Sequence, residues 1–156
     1  MKKFLTAIIL VFITGISCKK NDSSIVCDIP VVPHFYLVVK DQNGVDLLND
    51  TIPGSFKQSD IQITGKNKKG ETLKLRFEVS TWLFGGGQKF PYRFINLDYS
   101  TEVQNPLQVK LGNQVYKLNR TLKNPGEVDQ ILVDQNPLQR DTTENFRRAP
   151  IFYLTP

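Results

Sequence analysis

Apolar and polar positions alternate with a period of two in several stretches of this chain. Leu73, Leu75, Phe77 and Val79 are interleaved with Lys74, Arg76 and Glu78, the pattern of a strand with one face on a core and the other in water. Carried forward, that phase puts Thr81 inside and Trp82 and Phe84 outside, unless a bulge re-aims Trp82. Leu107, Val109 and Leu111 alternate with Gln108 and Lys110, and Gly112-Asn113 supplies a two-residue hairpin loop with glycine first. That loop sets a register of Leu111 opposite Gln114, Val109 opposite Tyr116 and Leu107 opposite Leu118. Further strands are expected at Phe35–Lys40, Val45–Leu48, Ile61–Thr64, Phe90–Tyr99, Val128–Asp134 and Ile151–Leu154. Asp41-Gln42-Asn43-Gly44 ends the first of these in a turn, Gly65–Gly70 is a polar loop, and Asp134–Pro150 is expected to be a long surface connection. Gln104-Asn105-Pro106-Leu107-Gln108 recurs as Gln135-Asn136-Pro137-Leu138-Gln139, which reads as one Asn-Pro turn used twice. Seven or eight short strands without an amphipathic helix of useful length predict an all-β fold, an antiparallel β-sandwich, with a small β-barrel as the alternative.

The first residues follow a different pattern. Lys2 and Lys3 precede an apolar run from Phe4 to Ile13, too short for the ~20 residues of a bilayer span, and small residues lead to Cys18. Residues 1–17 are therefore expected to be a signal peptide. Ser17 and Cys18 resemble a bacterial lipobox, with Gly15 where leucine is usual; the resemblance implies acylation of Cys18 and a lipid anchor. Gly15 and Ser17 also satisfy the small-x-small rule of ordinary signal peptidase, which cuts at the same bond and leaves a Cys18–Cys27 bridge open. Residues 18–33 are expected to be an extended tether, polar at first and then held from helix by Pro30 and Pro33, and residues 34–156 a single sandwich domain.

Phe35-Tyr36-Leu37-Val38-Val39-Lys40-Asp41 through Gly44, with Asp46-Leu47-Leu48, resembles the opening of small β-sandwich lipoproteins of the Bacteroidota. The resemblance implies an immunoglobulin-like or transthyretin-like sandwich and brings no catalytic residues with it. Cys18-Lys19-Lys20-Asn21-Asp22 resembles the stretch that sends such lipoproteins to the outer face of the outer membrane. The expected location is accordingly the bacterial outer membrane, surface-exposed, with the periplasm as the alternative.

Removing residues 1–17 takes away Lys2 and Lys3 and lowers the net charge from +5 to +3. That mild excess suits an anionic envelope and is far from the basic patch of a nucleic-acid binder. His34 is the only histidine, no Gly-x-Ser-x-Gly elbow exists, and His34 with Cys27 falls short of a zinc ligand set, so no catalytic residue, metal or cofactor is expected. Asp41, Asn43 and Asp46 invite a calcium reading but miss the EF-hand spacing, and a tight turn is the expectation. Gly85-Gly86-Gly87 lacks the Lys-Ser or Lys-Thr of a phosphate loop. Lys66, Lys68 and Lys69 mark a basic hairpin tip, a solvated turn or a site for a polyanion.

The candidate binding residues are Trp82, Phe84, Phe90 and Tyr92, with Phe94, around the triple glycine. They either cover an open end of the core or present a stacking surface to a sugar ring or protein partner. The function expected is a non-catalytic envelope module that binds a glycan or a partner protein. A structural accessory subunit of an outer-membrane assembly is the alternative, and a hydrolase with a carboxylate pair the third reading.

Overall fold

A computed structural model describes residues 34–82, 89–98, 103–124, 127–141 and 150–156. Residues 1–33, on which the expectations of a signal peptide, a lipidated Cys18, a Cys18–Cys27 bridge and a tether fall, lie outside the described residues, as do Phe84 and the triple glycine. Among the described residues the chain forms β1 (Tyr36–Val39), β2 (Ile61–Lys66), β3 (Thr72–Lys74), β4 (Arg76–Trp82), β5 (Lys89–Asp98) and β6 (Gln104–Leu111). It continues with β7 (Gln114–Asn124), β8 (Glu127–Val133), β9 (Asn136–Pro137), β10 (Gln139–Arg140) and β11 (Ile151–Leu154). Strands β3-β2-β6-β7-β8-β9 make a six-stranded sheet and β10-β11-β1-β5-β4 a five-stranded one. The two sheets form a β-sandwich and do not close into a barrel.

The β6–β7 hairpin has the register that its alternation predicts, with Leu107 opposite Leu118, Val109 opposite Tyr116 and Leu111 opposite Gln114. Gly112 takes a positive φ of 57° at the first loop position, a conformation that glycine adopts without steric cost. Inward residues of β2 and β6 (Ile61, Ile63, Leu107, Val109, Leu111) meet Phe35, Leu37, Ile95, Leu97, Phe152 and Leu154 of the other sheet in the main core.

The alternation of residues 73–79 is kept, but it belongs to two strands rather than one. Leu73 and Lys74 pair with β2 in the six-stranded sheet, whereas Arg76, Phe77, Glu78 and Val79 pair with β5 in the five-stranded sheet. Leu75 is the corner: it is buried and donates its N–H to the Ile63 carbonyl at 2.8 Å. A second corner stands at the opposite edge. Leu138, between β9 in one sheet and β10 in the other, donates its N–H to the Ile131 carbonyl at 2.8 Å. Part of the expected loop from Asp134 is thus strand, and Asn105-Pro106 and Asn136-Pro137 are extended in β6 and β9 rather than turns. What the two copies share is a leucine sent into the core, since Leu107 belongs to it and Leu138 packs against it.

The closing strand β11 lies where expected but pairs parallel with β1, Tyr36 with Ile151 through Val39 with Leu154, so the five-stranded sheet is mixed. Both strands are apolar at every position, and β1 is buried throughout. That composition suits a strand with no watery face.

Two side chains complete the ladders where backbone pairing stops. At the end of the β6–β7 ladder, Asn105 donates from Nδ2 to the Arg120 carbonyl at 2.6 Å and accepts the Arg120 N–H at 3.2 Å. In the other sheet, Asp46, 8% exposed, accepts the Arg93 N–H at 2.7 Å and the Leu48 N–H at 2.9 Å.

Candidate functional site

The oxygen-rich stretch after β1 folds as a turn. The Asp41 carboxylate accepts the N–H groups of Asn43 (2.9 Å) and Val45 (2.7 Å), Asp41 pairs through its own N–H with the Val45 carbonyl, and Gly44 has φ of 81°. The β2–β3 tip repeats this design. Asn67 accepts the N–H groups of Lys69 and Glu71 at 2.9 Å each, and Gly70 has φ of 83°. Each turn has an Asx side chain at its first position and a glycine three residues on, where the left-handed conformation is needed. Among the described residues no group of three or more His, Cys, Asp or Glu side chains converges on one point.

Acidic pairs are turned toward arginine. Glu127 and Asp129 both reach Arg140, at 3.6 and 3.5 Å, and Asp50 lies 2.7 Å from Arg93. His34 is exposed, forms a parallel bridge with Glu127, and sets its ring edge-on to Tyr36 at 6.1 Å.

Phe90, Tyr92 and Phe94, of the aromatic residues around the triple glycine, occupy the outward face of the five-stranded sheet. On β5, Ile95 and Leu97 point into the main core, so Phe90, Tyr92 and Phe94 face away from it. By the same alternation β1 sends Tyr36 and Val38 outward, and β11 sends Ile151 and Tyr153. These residues form a second apolar cluster in which Tyr36, Val38, Phe90, Phe94 and Ile151 are buried and Tyr92 and Tyr153 are half-buried. Tyr36 and Phe94 are 4.6 Å apart between ring centres, and Phe90 touches Tyr92 at 5.9 Å and Phe94 at 6.3 Å. Phe90, Tyr92 and Phe94 thus belong to a separate layer on a sheet face rather than to a covering of an open core end.

Phe90 and Tyr92 are brought together in this layer. Trp82 ends β4 with its backbone opposite Lys89, and a break in register falls between Ser80 and Trp82, where a bulge was one of the two outcomes the alternation left open. Phe84 lies outside the described residues. Tyr36, Lys40, Asp141 and Tyr153, none of them expected as binding residues, lie in or against the same layer. The signal for Tyr36 and Tyr153 was the unbroken apolar and aromatic character of Phe35–Val39 and Ile151–Leu154, which marks strands buried on both faces.

Tyr92 and Tyr153 make the accessible part of the layer. Their rings meet edge to face at 6.2 Å. The Lys40 ammonium lies 4.2 Å above the Tyr153 ring, within cation–π range, and the Tyr153 hydroxyl donates to Asp141 at 2.7 Å. Burial, then the hydrogen bond to Asp141, the charge of that carboxylate and the neighbouring Tyr92 push the Tyr153 phenol well above its ordinary value. It stays a neutral donor throughout the physiological range. The arrangement offers two ring surfaces beside a cation and a carboxylate, which can stack on an apolar face and hydrogen-bond to hydroxyl groups. No family model, curated protein or solved structure matches the chain.

Proposed function

We propose that this protein is an exported, lipid-anchored module of the bacterial outer membrane that binds a glycan or a partner protein and catalyses no reaction. The address rests on residues 1–18. The observation that carries the binding role is the half-buried Tyr92–Tyr153 pair, with the Lys40 ammonium on one ring and Asp141 holding its hydroxyl. The outward face of a two-layer sandwich ordinarily looks into water and is polar, so aromatic rings there favour recognition of a ligand with both apolar faces and hydroxyl groups.

Tyr92→Ala and Tyr153→Ala, each checked for an intact fold by circular dichroism, should abolish retention on a glycan array or the capture of one envelope protein by crosslinking in cells. Unchanged binding in both variants would remove the aromatic face from the reading. Intact mass tests the address separately: acyl chains on Cys18 are expected, and a bare N-terminus carrying a Cys18–Cys27 disulfide would leave a periplasmic protein without an anchor.

A further inference from the structure

The outward face of the six-stranded sheet has a charge pattern that the aromatic reading does not use. Because Ile61, Ile63, Leu107, Val109, Leu111 and Leu118 point into the core, the alternate positions of β2, β3, β6 and β7 point outward. Those positions include Lys66, Lys74, Lys110 and Lys117, and the outward positions on these four strands include no acid. None of the four lysines is in an ion pair with a described residue. Each stands directly opposite neutral residues: Lys66 faces Thr72, Lys74 faces Thr64, Lys117 faces Gln108, and Lys110 faces Gln62 and Val115. On the diagonals, lysine meets lysine, Lys66 with Lys74 and Lys110 with Lys117, at the roughly 7–8 Å typical of such neighbours. A sheet face made only for solubility interleaves both signs. On these four strands this one gathers a single sign while avoiding direct opposition, and Lys68 and Lys69 carry it onto the exposed β2–β3 tip, where the Glu71 carboxylate is bonded to Asn67.

The same face is indented. A groove of about 180 Å³ is lined by Thr64, Lys66, Thr72, Pro106, Gln108 and Lys117, and it lies where the β2–β6 register shifts between Thr64 and Lys66. It is smaller than the ~300 Å³ at which drug-sized sites begin, a size that suits one ring of a chain rather than a large compact ligand.

We infer that this face binds an anionic polysaccharide, a chain of sugar rings carrying carboxylates, with Lys66 and Lys117 on the acid groups and Thr64, Thr72 and Gln108 on the hydroxyls. Charge complementarity requires an anion, and the hydroxyl and amide side chains between the lysines match sugar hydroxyls. The outward strand positions carry no aromatic ring for nucleic-acid bases to stack on. The exposed aliphatics of β7, Val115 and Leu122, sit toward opposite ends of the strand rather than as a cluster able to enter a membrane.

The test is titration of the purified protein with polygalacturonate oligosaccharides at increasing salt. Parallel arms use neutral dextran, polyglutamate, single-stranded oligothymidylate and vesicles of phosphatidylglycerol. Binding to polygalacturonate is expected to weaken with salt, and the double variant Lys66→Glu/Lys117→Glu should lower its affinity by about tenfold or more. Lys66→Gln/Lys117→Gln should give a smaller loss in the same direction. Gln108→Ala should weaken polygalacturonate without changing polyglutamate. Tyr153→Ala should leave polygalacturonate binding unchanged, which separates this face from the aromatic one. Equal or tighter binding to polyglutamate, oligothymidylate or the vesicles would overturn the inference, as would affinity that survives both lysine double variants.

Discussion

On the outward face of the six-stranded sheet, lysines stand opposite threonine, glutamine and valine in water. On the outward face of the five-stranded sheet, the rings of Tyr36 and Phe94 meet at a tilt with centres 4.6 Å apart, both 1% exposed. The two sheets share one core yet use their other faces in opposite ways. The six-stranded sheet is antiparallel and amphipathic, with Leu107, Val109 and Leu111 inward and Gln108 and Lys110 outward. The five-stranded sheet has the parallel pair β1–β11 at its heart, and its aromatic layer gives those strands a second buried face. The difference teaches that most outward residues of the five-stranded sheet support the fold and leave Tyr92 and Tyr153 as its accessible part, whereas those of the six-stranded sheet are nearly free of that duty.

The sharpest way to break this contrast is a pair of truncations on the two outward faces. Phe94→Ala should cost about 3–5 kcal/mol, read from the denaturant midpoint, because it empties a buried aromatic site. Gln108→Ala, equally outward but on the six-stranded sheet, should stay within about 0.5 kcal/mol. Comparable losses would mean that the two faces do not differ.

Asp46→Ala should follow in size, at about 2 kcal/mol, since it strands the N–H groups of Arg93 and Leu48 that its carboxylate accepts. Gly65→Ala probes the groove from beneath. An added Cβ would lie 2.3 Å from Val103 Cγ1 and 3.1 Å from Leu107 Cδ2, and the forced shift should cost roughly 1–3 kcal/mol in thermal or chemical melts. A smaller effect on the aromatic face concerns Tyr153. Its phenol is held above the unfolded value of 10.0, so the folded state favours the neutral form, and the stability this gives is complete below pH 10. As pH rises past 10 the unfolded chain ionises first and stability falls. Tyr153→Phe should remove that alkaline slope and cost about 1 kcal/mol at neutral pH through loss of the bond to Asp141. An unchanged slope would separate Tyr153 from the protection of its face.

Much of this was legible in the chain. The β6–β7 hairpin could be read to the residue because alternation and a Gly-Asn loop fix the same register independently. The corner at Leu75 could not, because side-chain alternation runs unbroken through it; only the hydrogen-bonding partner changes, from β2 to β5. The parallel pairing of β1 with β11 was hidden for a related reason, as periodicity within one strand carries no information about a partner at the other end of the chain. Phe90 and Tyr92 were found from their clustering near the glycines. Tyr153, Lys40 and Asp141 come to them through that distant pairing, which is why the sequence disclosed half of the aromatic site.

The leucine corners bear on how the molecule comes apart. β3 and β9 are the outermost strands of one sheet, and each continues within one residue into an outermost strand of the other, β4 and β10. A sheet hinged to its partner at both margins cannot be peeled off alone, because fraying either margin draws on hydrogen bonds in both layers. Amide protons of Ile63 and Ile95, in different sheets, should then exchange with solvent through the same global opening rather than in separate local events. The sandwich behaves as a hemmed fabric, without a loose seam from which unfolding could begin.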